Sequence, residues 1–190
     1  MILEFVGKVC LGLDVFKQRV VNRYKLSKLA AHGRNCHIEG SVNISYNNIY
    51  IGDNVFIPSG ATFISSNANI YIGSNVMFGP NVMIATGNHR IDVIGKYMID
   101  VKEKRAKDDE DVVIEDDVWI GMNVMILKGV HVGRGSVIGA GAIVTKNVPP
   151  YSVITNIVST NIRSRFTNEQ IVEHETRLEY ENKTQQAYLI

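Results

Sequence analysis

IEDDVW, IGMNVM, ILKGVH, VGRGSV, IGAGAI, VTKNVP: residues 114–149 divide into successive hexapeptides. Their first positions are Ile114, Ile120, Ile126, Val132, Ile138 and Val144, and their fifth are Val118, Val124, Val130, Ser136, Ala142 and Val148. Aliphatic residues make up roughly a quarter of ordinary sequence, so an unbroken first column arises by chance on the order of once in a few thousand. The same frame runs upstream as IGSNVM, FGPNVM and IATGNH from Ile72, and as IGDNVF, IPSGAT and FISSNA from Ile51. A period of six is neither helical periodicity nor strand alternation.

A short strand followed by a tight turn satisfies this period. Three such units close a triangular coil whose interior holds the first-column side chains. Gly and Asn recur in the second and fourth columns, at Gly52, Gly73, Gly121 and Gly139 and at Asn54, Asn75 and Asn123. Both residue types tolerate the positive φ of tight turns. Stacked coils bury one another's faces. The expected fold is therefore all-β: a left-handed parallel β-helix, an exception to right-handed crossovers. It has an N-terminal helical segment, a long protruding loop and a C-terminal helix. The expected divisions are 1–36 for the N-terminal capping segment, 37–155 for the β-helix with its excursion at 90–113, and 156–190 for the tail and helix.

Bulk composition excludes several functions. Lys and Arg number 20 against 19 Asp and Glu, so nothing points to nucleic acid. The two cysteines, Cys10 and Cys36, make no disulfide framework and suit a reduced, cytoplasmic setting. The opening MILEFVGKVCLGLDVF is broken by Glu4, Lys8 and Asp14, too early for a membrane span. It reads as a capping or docking helix in preference to a membrane-surface anchor.

Breaks in the frame are also informative. Ile51 to Ile72 is longer than one coil, which puts a small bulge near SSNANIY. Between His89 and Val113 the period vanishes, and RIDVIGKYMIDVKEKRAKDDEDV carries a basic half and then an acidic half. Excursions of this length are usually functional or disordered. Its apolar residues Val93, Ile94, Tyr97, Met98, Ile99 and Val101 suggest packing on a neighbouring subunit. Thr167, followed by Glu169 and Gln170, opens a C-terminal helix suited to covering the raw end of the solenoid.

The hexapeptides with TGNHRID, a long loop and then IEDDVWIGMNVM…GAGAIVTKNVPPYS resemble the left-handed β-helix acyltransferases. The resemblance is greatest to the galactoside, maltose and capsular-polysaccharide O-acetyltransferases, and it covers roughly residues 38 to 166. It implies acetyl transfer from acetyl-CoA to a hydroxyl, usually on a sugar or polysaccharide precursor, within a homotrimer whose sites lie between solenoids. By position it implies His89 as the catalytic histidine and Trp119, Ser59 and Asn67 on the acceptor side. Acetyl-CoA would meet Met122, Ala140, Thr145, Lys146 and Arg163, and no metal is implied. After VPPYS, relatives usually carry Gly, an apolar residue and then Pro-Ala-Lys. Here Asn156, Val158 and Thr160 stand instead, so one phosphate contact is missing.

The implied chemistry is sound for these side chains. A sugar hydroxyl is a poor nucleophile at neutral pH, and imidazole titrates where it can take the hydroxyl proton. Trp119, the only tryptophan, falls where side chains point outward and needs something to cover it. The histidines, His32, His37, His89, His131 and His174, lack the close cluster that a zinc site needs. Two alternatives stay open: a non-sugar hydroxyl acceptor (antibiotic or serine-like), and a degenerate trimeric scaffold.

Overall fold

The computed structural model describes residues 2–91, 93, 98–155, 162–164 and 166–187. The chain winds through coils of three strands. The first coil is β1 (Ala31–His32), β2 (His37–Ile38) and β3 (Asn43–Ile44), and the second is β4 (Ile49–Ile51), β5 (Phe56–Ile57) and β6 (Thr62–Ile64). The third is β7 (Ile70–Ile72), β8 (Met77–Phe78) and β9 (Met83–Ala85). The fourth, β10 (Val112–Ile114), β11 (Trp119–Ile120) and β12 (Met125–Ile126), follows the excursion. The fifth is β13 (His131–Val132), β14 (Val137–Ile138) and β15 (Ile143–Val144). A partial sixth holds the Val132–Val148 bridge and β16 (Ser152–Ile154).

Each strand pairs in parallel with its equivalent one coil away. This gives three sheets in the orders β1-β4-β7-β10-β13 (sheet A), β2-β5-β8-β11-β14-β16 (sheet B) and β3-β6-β9-β12-β15 (sheet C). The antiparallel strand β17 (Ile162–Ser164) closes the far edge of sheet B. The first-column residues Ile57, Ile84, Ile114, Ile120, Ile126 and Ile138 are at most 1% exposed. Phe63 and Phe78 fill the interior together, with ring centroids 5.4 Å apart. The bulge expected near SSNANIY is the segment between β6 and β7.

The corners separate two jobs that the sequence reading had merged. Fourth-column residues Asn54, Asn75, Asn81, Asp117, Asn123, Gly129, Gly135 and Gly141 have φ between 55° and 73°, so they are the left-handed turn positions. Asn35, Asn54 and Asn75 also form a side-chain ladder at one corner, with amide bonds of 2.6 and 2.9 Å. The second-column glycines do not share that φ. They are glycines because the next coil is too close: a Cβ on Gly121 would lie 2.6 Å from the Ala140 nitrogen, and one on Gly133 2.5 Å from that of Pro150.

Helix α1 (Ile2–Leu26) meets the solenoid at its C-terminal end. The Asn22 amide donates to the Cys36 carbonyl (3.0 Å) and its oxygen accepts from the Ile38 N–H (2.7 Å), satisfying the open edge of β2. Leu26 and Leu29 join the core there. Helix α2 (Asn168–Ala187) starts with the reciprocal Thr167–Gln170 cap that the sequence suggests. It does not lie over the last coil. Arg134 and Glu175 pair at 3.0 Å and His174 packs on Phe166 and Tyr151, which docks α2 along the corner between sheets A and B. Among the described residues, β17 pairs with the open edge of β16 in sheet B.

These two corner roles predict opposite sensitivities. Gly121→Ala should lose about 1–3 kcal/mol, because backbone must move to admit the methyl. Asn123→Gly should lose less than about 1 kcal/mol, because the left-handed φ stays accessible. Urea unfolding of the two variants beside the wild type measures the difference.

Candidate active site

The excursion leaves and returns through a narrow neck. After β9, Gly87 forms an antiparallel bridge with Asp109, the Asn88 N–H donates to the Asp108 carbonyl (2.9 Å), and the Glu110 N–H donates to that of Thr86 (2.8 Å). A Cβ at Gly87 would sit 1.6 Å from Asp109 Oδ1, so any larger residue must displace that buried carboxylate. His89 is the first side chain past this clamp. It is exposed, and it has no hydrogen bond among the described residues.

The charged run that follows is not simply solvated. Asp109 is buried and accepts from Lys104 (2.7 Å), while the Asn67 amide reaches it from the bulge (2.8 Å). Burial by itself would raise the Asp109 pKa, but the Lys104 and Asn67 hydrogen bonds and the Lys104 charge outweigh it, and the carboxyl ends below its ordinary range. Asp108 caps the one-turn helix at Ala106–Asp108, accepting from the Arg105 side chain (2.8 Å) and the Arg105 N–H (2.7 Å). Those bonds, with the Arg105 and Arg90 charges, hold Asp108 at about 2. Lys128 pairs with Glu110 at 2.7 Å on the next coil. The basic and acidic halves therefore fold onto each other and fix the neck.

Sequence reasoning missed this network. The signal was present in KRAKDDED, whose opposite charges sit within reach on a tight turn. Asn67, expected on the acceptor side, spends its amide on Asp109. Of the loop's apolar residues, Met98 and Ile99 are exposed, while Ile94 and Tyr97 lie outside the described residues.

The other expected residues fall on two edges of the prism. Asn67, His89, Thr145 and Lys146 lie on the edge where sheet C turns into sheet A. Ser59, Met122 and Ala140 lie on the edge between sheets B and C, and Trp119 points outward from sheet B, 50% exposed between Met77 and Val137. Sheet C separates the two groups. Arg163 is in β17, opposite Val153, while Asn156, Val158 and Thr160 lie outside the described residues. Two cavities of the single chain, of about 610 and 910 Å³, flank sheet A and helix α1; neither is lined by His89 or Trp119. One chain thus holds the two groups of expected residues apart and does not join them.

Residues 111–146 match the bacterial transferase hexapeptide family (six repeats). The chain is similar to the galactoside O-acetyltransferase of Lactococcus lactis, 36% identical over 119 residues that cover 62% of this chain and 54% of that protein. It is also similar to the galactoside O-acetyltransferase of Escherichia coli, 37% identical over 145 residues that cover 74% of this chain and 64% of that protein. A solved hexapeptide-repeat acetyltransferase of Vibrio cholerae, complexed with acetyl coenzyme A, matches with a TM-score of 0.63 and 30% identity, covering 73% of this chain and 71% of that one. The chain belongs to the hexapeptide-repeat acetyltransferases. The left-handed winding expected from its period fits that family. The chain spans about half the length of the Lactococcus relative.

The neck carries a pH prediction. Asp108 titrates at about 2 when folded, below the unfolded carboxylate value of about 3.9. Its stabilisation is therefore complete above about pH 4–5 and disappears as pH falls toward 2. Thermal unfolding of the wild type and Asp108→Asn should differ at pH 6, with the wild type more stable, and should converge by about pH 2.

Proposed function

We propose that this protein is an acetyl-CoA-dependent O-acetyltransferase acting on a hydroxyl of a sugar or polysaccharide precursor. It works as a homotrimer whose sites form where the two edges of neighbouring copies meet. The observation that carries this reading is the division of the half-sites: a clamped, exposed His89 on one edge, and Trp119 with the small-residue run on the other. A rigid prism cannot fold one of its edges onto the other, whereas a symmetric neighbour can present it.

The residues fit the donor. Gly121 and Gly139 lack side chains where the coils are closest, and a Cβ on Gly141 would meet nothing within 4 Å. The open space at Gly141, with Met122 and Ala140 exposed on the same edge, leaves room there for a pantetheine arm. Exposed Lys146 is suited to phosphate, with Thr145 beside it and Arg163 as a second cation. Bound acetyl-CoA supplies an acyl group already activated as a thioester. The chain then has two tasks. His89 takes the acceptor hydroxyl's proton as the hydroxyl attacks, and the neck holds the imidazole in place while it does so. Asn67 supports that placement through Asp109. Trp119 and Ser59 form the acceptor side, where an outward indole offers a flat surface to a sugar ring and excludes water.

His89→Ala should lower kcat by about two or more orders of magnitude with oligomer mass and donor binding unchanged. Trp119→Ala should lower kcat/KM at least about tenfold. Co-expressing the two variants is the sharper test. If a site takes His89 from one copy and Trp119 from its neighbour, each mixed trimer regains one site of its three, about a quarter of wild-type sites over the whole randomly mixed pool. If mixing restores nothing, each site lies within one chain.

A further inference from the structure

The solenoid uses only the end of helix α1. Every residue from 3 to 21 is exposed, and Leu3, Phe5, Leu11, Leu13 and Phe16 are each more than 60% exposed. An apolar surface of this extent implies a partner. Charge identifies its chemistry. Up to residue 16 the helix has only Glu4, Lys8 and Asp14, and the first two neutralise each other at 3.0 Å. Lys17, Arg19, Arg23, Lys25, Lys28 and Arg34 then follow, with no Asp or Glu between Asp14 and Glu39. Lys25 is held by the Ile38 and Gly40 carbonyls and Arg34 by Asp53. Lys17, Arg19, Arg23 and Lys28 remain exposed on the helix and just past its end.

Apolar and basic character are thus separated along the helix more than around it. Val6, Val9, Leu13, Phe16 and Val20 form one stripe, but Leu11 and Val15 continue the opposite row begun by Glu4 and Lys8. A bundle with a second copy would need a polar outer face along the whole length. No described helix is long and apolar enough to cross a membrane. We propose that α1 binds the surface of an anionic bilayer. Its apolar turns over residues 3–16 enter the boundary between acyl chains and headgroups, and Lys17, Arg19, Arg23 and Lys28 meet the lipid phosphates. The solenoid, joined through Asn22 and Lys25, is then carried at the membrane face.

The test is flotation of the full chain with vesicles of phosphatidylcholine alone, or with about 30% phosphatidylglycerol, at about 0.15 M salt. The chain should float with the anionic vesicles and stay behind with the neutral ones, and salt at about 1 M should release it. A triple variant, Phe5→Gln, Leu13→Gln and Phe16→Gln, and a double variant, Lys17→Glu and Arg19→Glu, should each lower partitioning at least about tenfold. Their melting temperatures should stay close to the wild type, because these side chains are exposed and lie outside the buried core. Failure to float with anionic vesicles overturns the proposal, as does flotation insensitive to both variants. Loss of oligomer mass in the triple variant, with no vesicle binding by the wild type, would assign the helix to a second copy and overturn it equally.

Discussion

The rung-to-rung register of three parallel sheets is the constraint on which the rest of this molecule depends. Ile114 sits on Ile72 and under Val132, Ile120 on Phe78 and under Ile138, and Ile126 on Ile84 and under Val144. The side-chain period in a strand is two, so a one-residue slip would turn each buried aliphatic outward. The register also fixes what each corner can hold. A fourth-column residue must adopt left-handed φ, and a second-column residue must let the next backbone pass. Variation is left to the outward sixth column and to places where the coil is interrupted. The side chains proposed for function come from those two sources: Trp119 from the first, and Asn67 and His89 from the second.

This explains which parts of the fold and site could be read in sequence. The register is local and periodic, so hexapeptides exposed the solenoid, its bulge before Ile70 and the start of the excursion after His89. Corner chemistry was legible only in part. Gly and Asn look alike as turn residues, yet Gly121 answers to Ala140 in the next coil while Asn123 answers to its own φ. The neck was less legible still. Asn67 and Asp109 are far apart in the chain, and their contact exists because two interruptions of the frame open on the same corner. Nothing periodic links them. The placement of α2 was hidden for a related reason, because it rests on Tyr151 and Phe166 at a corner and not on the exposed ladder that a cap would cover.

The neck also shows how an exposed histidine can be well placed without being buried. Few interactions restrain the imidazole itself, but its backbone follows directly on Gly87 and Asn88, which are bonded to Asp109 and Asp108. Those carboxylates are in turn charge-paired with Lys104 and Arg105. Exposed ion pairs add little to stability, whereas Asp109 is buried and would be costly to strand without Lys104 and Asn67. The charges therefore set position more than they add strength. The short helical turn at Ala106–Asp108 is worthwhile for the same reason, since it returns the chain to the solenoid in register for β10.

Helix α1 and the divided half-sites follow from one property of solenoids. A stack of coils buries its core completely within the prism, so it has no apolar face left with which to fold its own appendages. Anything beyond the coils must satisfy an open edge, as Asn22 does for β2 and β17 does for β16, dock on corner side chains, as α2 does on Tyr151 and Arg134, or find a surface elsewhere. Among the described residues, the first turns of α1 satisfy no edge and no element covers Trp119. Both are features that our proposals complete from outside, the indole with a neighbouring prism and the helix with a surface of complementary charge. In this architecture the core specifies the fold alone, and function begins where the core can no longer provide a partner.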